Sequence, residues 1–258
     1  AAKHTVVFAI VLFLLWLLLF LSALIPNDMI RDNMEQSALS YKERTAFEFA
    51  DGKKLNSVAD HYADSIWLNV SWNMGEDSPF ISSIRTNYYD GGELGVNAGL
   101  YLSVTQGTEP NKDYTRYWHG TVMFIRLGHL ITDVEGVKLI GFIAFLLLVG
   151  LSLFILARKR HWDLAVILAL SLAAVQIWNI RLSMEYQPAF ILAFVLVPLF
   201  LILERRDDKW LTILSVVSGT AVAFFDFLTT ETVTILIPLA LVIAVRTKEN
   251  RLGSLKEN

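Results

Sequence analysis

The segment VKLIGFIAFLLLVGLSLFILARKR, residues 137–160, decides the fold. It joins an apolar run, 137–157, to three consecutive basic residues. An apolar run of about 20 residues crosses a bilayer as a helix. Short loops rich in Lys and Arg stay on the cytoplasmic side of a membrane. The segment therefore predicts a membrane-spanning helix whose C-terminal end faces the cytoplasm.

The basic residues that follow this segment recur in alternate loops. They form three clusters, at 158–160, 205–209 and 246–256. The short turns between the clusters, 180–187 and 226–232, hold a single basic residue, Arg181. Because positive loops face the cytoplasm, this alternation predicts five spans. They are 137–157, 162–178, 189–203, 210–225 and 233–245.

Residues 5–25 form one more apolar run, long enough to cross the bilayer. The alternative is a cleaved signal peptide, since Lys3 and His4 give a basic start. The apolar region of a signal peptide is usually about 7–15 residues long, so the length favours a signal anchor. With this helix the chain has six predicted spans, and its N- and C-termini are both cytoplasmic.

Residues 26–117 are polar and lack an apolar run long enough to cross a membrane. We expect them to fold outside the membrane as a cap. Residues 118–131 are apolar but interrupted, and they suit an interfacial helix with Arg126 and His129 as lipid-facing anchors. The predicted class is an all-α membrane protein with a large extracytoplasmic first loop, so that 26–134 lies outside. Its parts are 1–25, 26–117, 118–134, 135–246 and a cytoplasmic tail, 247–258.

The composition agrees with a membrane protein. Apolar residues make up 54% of the chain and the mean hydropathy is +0.48, against about 45–50% apolar residues in soluble domains. The net charge of −3 gives no indication of nucleic acid as a partner. The chain has no cysteine, which excludes disulfides, thiolate metal sites and a cysteine nucleophile.

Several short stretches follow one another in a recognisable order. After the external loop come Tyr-Trp-His-Gly at 117–120, the apolar stretch 121–131, a polar turn at 132–135, and the span that ends in Leu-Ala-Arg-Lys-Arg at 156–160. The next outer turn, 179–186, reads Asn-Ile-Arg-Leu-Ser-Met-Glu-Tyr. This order resembles the N-terminal module of the GT-C superfamily of membrane glycosyltransferases, which includes protein O-mannosyltransferases and aminoarabinose transferases. Gly120 and Thr121 stand where that family has prolines.

The resemblance implies an activity. Members of the family transfer a sugar from a polyprenyl-phosphate carrier to an acceptor, here a cell-surface glycan or lipid, at the outer face of the cell membrane. An acidic residue of the first external loop acts as general base. The stretch 59–69 is the closest match to the family's acidic motif and presents Asp60 and Asp64, which share one face of a helix. The alternative for Asp60 is an ordinary helix N-cap. The rival base is Asp28, or Asp32, just after the first span.

The leaving phosphate needs positive charge. The resemblance implies His119, Arg116 and Arg181 for this role, with Lys138 as a weaker candidate. Basic side chains at helix ends also extend to lipid headgroups without any ligand, and this alternative stays open for each of them.

Three residues are expected to line the substrate groove, Glu185, Tyr186 and Asp226. Acidic side chains near hydrocarbon are costly and indicate function. Asp226 and Glu231, together with a loop carboxylate, would offer oxygen ligands to a divalent cation. Some members of the family use a metal and others do not, so the sequence assigns none.

Two other classes of protein remain open. One is a non-catalytic membrane subunit or scaffold whose outer cap binds a surface polymer or a partner protein. The other is a carrier-lipid flippase or transporter, which the scarcity of charge within the spans disfavours. Convergence of the Asp60 region with His119 and Arg181 on one outer groove would favour the transferase over the scaffold.

Overall fold

The computed structural model describes residues 2–50, 57–75, 78–115, 118–225 and 231–251. Of the described residues, 74% are helical and few are in sheet. The helices are α1 Ala2–Ala23, α2 Asn27–Tyr41, α3 His61–Asn73, α4 Pro79–Ser82, α5 Gly95–Gln106, α6 Val122–His129, α7 Val134–Arg158, α8 Trp162–Ala174, α9 Gln187–Leu203, α10 Asp208–Phe225 and α11 Glu231–Lys248. The strands are β1 Phe47–Phe49, β2 Val58–Asp60, β3 Asn87–Tyr88 and β4 Lys112–Asp113. Two 3-10 turns lie at Gly92–Leu94 and Ile177–Leu182.

Among the described residues, three helices are long and apolar enough to cross a membrane, α1, α7 and α10. In the most apolar stretches of α1 and α7 only 17% of the residues are buried within the protein, so their apolar surfaces face outward as lipid contact requires. Two more apolar helices, α8 and α9, are shorter. The protein is therefore mostly helical, with three helices suited by length and composition to cross a membrane. The arrangement of six spans stays a prediction.

The chain divides into two compact units. The cap unit comprises Leu12–Phe142 and Asn179–Gln187, and the bundle unit comprises Ala1–Val11, Ile143–Trp178 and Pro188–Asn258. The boundaries fall inside α1 and α7. The first turns of α7 and the outer turn at 179–187 therefore belong to the same unit as the predicted cap loop.

The cap unit is built around α3. This helix contacts α2, α5 and α6, and all but one of its residues are buried. The largest buried apolar side chains around it come from each of these elements, and they are Ile30, Met34, Trp67, Leu68, Leu100, Val122 and Ile125. Strands β1 and β2 pair antiparallel, with Phe47 opposite Asp60. Since β2 runs directly into α3, this hairpin fixes where the helix begins.

The bundle unit has an apolar core. Phe145 and Phe194 are fully buried and meet edge to face, with their ring centroids 5.4 Å apart. Such aromatic pairs add about 0.5–1.5 kcal/mol beyond the area they bury. Helices α9 and α11 each contain a proline, Pro198 and Pro238.

Arg126 lies at the centre of the cap unit with none of its surface exposed. Its guanidinium donates to the carbonyl of Ser22 (3.1 Å), the side-chain oxygen of Asn27 (3.1 Å), the carbonyl of Ser71 (2.5 Å) and the carbonyl of Ile25. The carbonyls of Ser22 and Ser71 lie in the last turns of α1 and α3, where carbonyls carry partial negative charge. Ile25 follows the end of α1, and Asn27 is the first residue of α2. The prediction that Arg126 is a lipid-facing anchor is wrong, because the side chain ties two helix ends together.

His129 is also fully buried and is not a lipid-facing anchor. Its Nδ1 donates to the carbonyl of Ile125 at 2.8 Å, and its Nε2 faces the hydroxyl of Ser37 at 3.0 Å. That hydroxyl also accepts a hydrogen bond from the first amide of α7, at Val134. Burial lowers the pKa of His129 to about 4, with a smaller contribution from Arg126, while Asp133 opposes the shift. A neutral His129 therefore joins α6 to α2 and α7.

Replacing Arg126 with Ala is expected to destabilise the protein by about 3 kcal/mol or more, because the substitution leaves buried carbonyls without donors. The stability of Arg126→Lys should lie between that of the wild type and that of Arg126→Ala, because an ammonium keeps the charge but cannot reach all four acceptors. The measurement is thermal unfolding of the purified protein in detergent. Arg31→Ala, which removes an exposed arginine of the same unit, is the matched control. Equal losses for the two arginines would contradict the structural role of Arg126.

The depressed pKa of His129 predicts acid sensitivity. The folded state holds the imidazole neutral down to about pH 4, whereas the unfolded chain takes up a proton near pH 6.5. Stability from this group is therefore complete above about pH 6.5 and is lost progressively as the pH falls toward 4. The loss at pH 5 should be about 2 kcal/mol. His129→Gln removes the titration, so its melting temperature should fall less than that of the wild type between pH 7.5 and 5.

Candidate functional site

The N-terminus of α3 positions the first candidate residue. Asp60 ends β2, and its Oδ1 accepts a hydrogen bond from the amide of Ala63 at 2.8 Å. An Asp at this position satisfies one of the amides that the first turn of a helix leaves without a partner. The capping alternative for Asp60 is therefore confirmed. Capping uses one carboxylate oxygen and does not remove the side chain from the surface, since Asp60 is only half-buried.

The outer turn Asn179–Gln187 docks against this helix end. The Ser183 hydroxyl donates to Oδ1 of Asp64 at 2.8 Å, and the amide of Met184 donates to the same oxygen at 2.7 Å. The amide of Glu185 in turn donates to the Ser183 hydroxyl at 3.2 Å. These bonds place Glu185 and the following tyrosine beside Asp60.

Asp64 is the anchor of this arrangement and has no exposed surface. Its Oδ2 accepts a hydrogen bond from the Tyr41 hydroxyl at 2.9 Å and lies 3.1 Å from Nζ of Lys138. The Lys138 ammonium also donates to the Tyr41 hydroxyl, at 2.5 Å. Burial, followed by the Asp64 charge, raises the pKa of Tyr41 well above its usual range, so the phenol keeps its proton and remains a donor. A carboxylate enclosed in this way is a positioning residue rather than an accessible base.

Asp60 and Glu185 form a carboxyl pair. Their side chains lie within hydrogen-bonding reach of each other, and both residues are half-buried. Two carboxyl groups can share a hydrogen bond only if one of them holds a proton. Burial raises the pKa of Asp60, and the neighbouring Asp64 charge adds to this, against the opposing hydrogen bonds from Ala63 and Glu185. The pair therefore presents a proton acceptor with a raised pKa at the surface of the cap unit.

Tyr186 completes the group. It is half-buried, and burial raises its pKa to about 12, followed by the charges of Asp60, Glu185 and Asp64. The phenol stays protonated at neutral pH and offers a hydrogen-bond donor beside the carboxyl pair. The structure thus brings together Asp60 with two of the three predicted groove residues, Glu185 and Tyr186.

Asp28, the rival candidate for the base, lies elsewhere. Its side chain is 86% exposed in the first turn of α2 and pairs with Arg31 at 3.0 Å. An exposed ion pair of this kind contributes little free energy. The geometry favours Asp60 over Asp28.

Two of the predicted phosphate ligands, His119 and Arg181, lie among the described residues. His119 is buried, with Nδ1 3.2 Å from the Thr86 hydroxyl and its ring 5.0 Å from that of Tyr114. It lines a cavity of about 210 Å³ to which neither Asp60 nor Glu185 contributes. Arg181 is exposed in the 3-10 turn Ile177–Leu182, two residues before the serine that binds Asp64.

Three of the predicted site residues lie in parts of the chain whose side chains are not described. Arg116 and Asp226 lie outside the described residues, as does the side chain of Glu231. In the part of the chain that is described, no group of three or more His, Asp or Glu side chains is arranged to hold a metal ion.

Sequence reasoning missed the partners of Asp64. Lys138 is buried and paired with Asp64, so the prediction that it contacts a donor phosphate is wrong. A signal was present, because a lysine within the first turns of an apolar span must find a partner or a watery cavity. Tyr41 and Ser183 carried no comparable signal, since a hydroxyl is common on any helix or turn.

Comparison with known proteins gives no neighbour: no family model, curated protein or solved structure matches the chain. The fold and the site define a class of protein: a mostly helical chain, with helices long and apolar enough to cross a membrane, whose cap unit presents a carboxyl pair beside a tyrosine.

Breaking the buried ion pair should be costly. Asp64→Asn leaves the buried Lys138 ammonium with only the exposed carboxylate of Glu135, at 3.6 Å. Lys138→Met leaves the buried Asp64 carboxylate without a cation beside it. Each is expected to destabilise the protein by about 3–5 kcal/mol. The double variant should recover part of this loss, because neither charge is then left alone. Thermal unfolding of the four proteins measures the coupling, and additive losses would show that the two groups do not interact.

Proposed function

We propose that the protein is a membrane glycosyltransferase that moves a sugar from a polyprenyl-phosphate-linked donor to an extracytoplasmic glycan or lipid. The observation that carries this proposal is the close pair of Asp60 and Glu185 on the cap unit, held there by the bonds of the outer turn to Asp64. It adds to the resemblance of the chain to the GT-C module, because that resemblance implies an acidic base in this loop.

The pair suits general base catalysis. The acceptor hydroxyl must lose its proton as its oxygen attacks the anomeric carbon, and a base with a pKa nearer to neutrality accepts that proton more effectively. Burial raises the pKa of Asp60 in this direction. Asp60 is the base, Glu185 shares its proton, and the Tyr186 phenol donates a hydrogen bond to a sugar oxygen.

Arg181 is the best-placed cation for the leaving phosphate. It is exposed, and its segment is fixed to α3 by Ser183 and Met184. Positive charge held near a leaving phosphate stabilises the transition state. His119 is given no part in this proposed step, because the cavity that it lines includes neither Asp60 nor Glu185.

The proposed topology keeps six spans, with both termini cytoplasmic and residues 26–134 outside. The three basic clusters support this orientation. It places the cap unit, and with it Asp60, on the side of the membrane where polyprenyl-linked sugars are transferred to surface acceptors.

The second candidate is the non-catalytic scaffold. Two observations favour it: Asp64 is enclosed, and His119 does not share a cavity with Asp60. In this case the outer surface of the cap unit binds a surface polymer or a partner protein, and the carboxyl pair contributes hydrogen bonds rather than proton transfer.

Turnover of a donor panel separates the two candidates. Purified protein in nanodiscs would receive polyprenyl phosphates that carry different single sugars, and the released polyprenyl phosphate would be quantified by mass spectrometry. Asp60→Asn should lower the rate about 100-fold or more, the lower range of a lost general base. Glu185→Gln should lower it less and move the acidic limb of the pH profile, because it changes the partner of the shared proton.

The matched control is Glu93→Gln, which neutralises an exposed carboxyl of the same unit and should leave the rate unchanged. Sugar release by Asp60→Asn at the wild-type rate would overturn the base assignment. Retention of polysaccharide by wild-type protein with no turnover of any donor would favour the scaffold.

A further inference from the structure

A second polar site lies in the bundle unit, at the end of α9, the start of α10 and the end of α11. A cavity of about 450 Å³ opens there. Four arginines line it, and three acidic residues lie among them. The arginines are Arg205, Arg206, Arg246 and Arg251, and the acids are Glu204, Asp207 and Asp208.

The acidic side chains already have cationic partners. Glu204 is fully buried, 2.6 Å from Nζ of Lys159, and also pairs with Arg251. Asp207 lies 3.3 Å from Nζ of Lys209. Asp208 lies 3.2 Å from the guanidinium of Arg246. These acids are therefore neutralised by their own neighbours rather than left to repel a negatively charged ligand.

The balance of charge around the cavity is positive. Glu249 also joins the network, at 2.8 Å from Arg205. Counting the cavity residues with Lys159, Lys209 and Glu249, six basic side chains face four acidic ones. Arg206 is exposed and has no ion pair within the described part of the chain. The cavity therefore holds cationic charge that the protein itself does not balance.

Arg246 supplies an independent observation. It is only 6% exposed, and one of its terminal nitrogens donates to the Glu204 carbonyl at 2.9 Å. Its Nε is buried and, among the described residues, has no hydrogen-bond partner. A buried N–H without an acceptor is uncommon and costs free energy. A guanidinium in this condition, lining a cavity, offers an N–H to an acceptor from outside the described residues.

The surface beside the cavity is apolar. Ile202 on α9 and Ile243 on α11 are both exposed, and each lies within one turn of a cavity residue. Basic pockets between membrane helices bind the head groups of anionic lipids. An arginine cluster beside exposed aliphatic side chains fits a ligand with a phosphate at one end and acyl chains at the other.

We propose that this cavity binds a phosphate group, supplied by an anionic phospholipid head group or by free phosphate, through Arg206 and Arg246. The site is independent of the proposed transferase activity and involves none of its residues. The predicted orientation places it at the cytoplasmic face, where the loop charge is positive.

Native mass spectrometry of the detergent-purified protein tests the proposal. The probes are phosphatidylglycerol, phosphatidylcholine and inorganic phosphate. We expect phosphatidylglycerol to bind at least tenfold more tightly than phosphatidylcholine. Arg206→Ala should weaken this binding about fivefold, and Arg206→Ala combined with Arg246→Gln should abolish the preference. Melting temperatures of the variants verify that they are folded.

The matched control is the double variant Arg158→Ala and Arg160→Ala. It removes two exposed arginines from the neighbouring basic cluster and should keep the preference for phosphatidylglycerol. Free phosphate would be identified as the source by three results together. Inorganic phosphate would stabilise the wild type, Arg206→Ala would lose this stabilisation, and the wild type would bind phosphatidylglycerol no more tightly than phosphatidylcholine. Equal loss of lipid preference in both double variants, or no effect of either probe, would overturn the site.

Discussion

The cap unit depends on one buried ion pair, that of Asp64 with Lys138. Both groups are out of water, and the free energy lost in removing them from it is offset only if their hydrogen bonds are satisfied. Tyr41, Ser183 and the Met184 amide supply the remaining bonds to the carboxylate. One side chain of α3 thereby fixes α2, the start of α7 and the outer turn at once. Glu185 lies beside Asp60 because Ser183 and the Met184 amide fix this turn to Asp64.

The same rule governs the two basic residues of α6. Arg126 and His129 looked like anchors for lipid head groups, because a short amphipathic helix with basic residues suits a membrane surface. In the structure their acceptors are protein groups, carbonyls at helix ends for Arg126 and Ile125 and Ser37 for His129. Sequence periodicity shows that a helix has a polar face. It does not show whether water, lipid or protein carbonyls receive that face.

The elements that could be predicted are those set by local chemistry. Apolar length located α1 and α7, and the preference of Asp for helix N-caps located the start of α3. The pairing of Asp60 with Glu185 joins residues 125 positions apart, and no local pattern records such a contact. The expectation for His119 rested on a short motif. In the structure its ring packs against Tyr114 and lines a cavity that does not include Asp60.

Asp60 and Asp64 show how one helix gives two carboxylates different roles. They lie four residues apart and share a face, yet one caps the helix at the surface while the other lies beneath the outer turn. The enclosed carboxylate contributes its charge to the exposed one, which helps to raise the pKa of Asp60. Because the same carboxylate also binds Ser183 and Met184, it holds Glu185 beside Asp60. Positioning and electrostatic tuning of Asp60 are therefore inseparable consequences of burying Asp64.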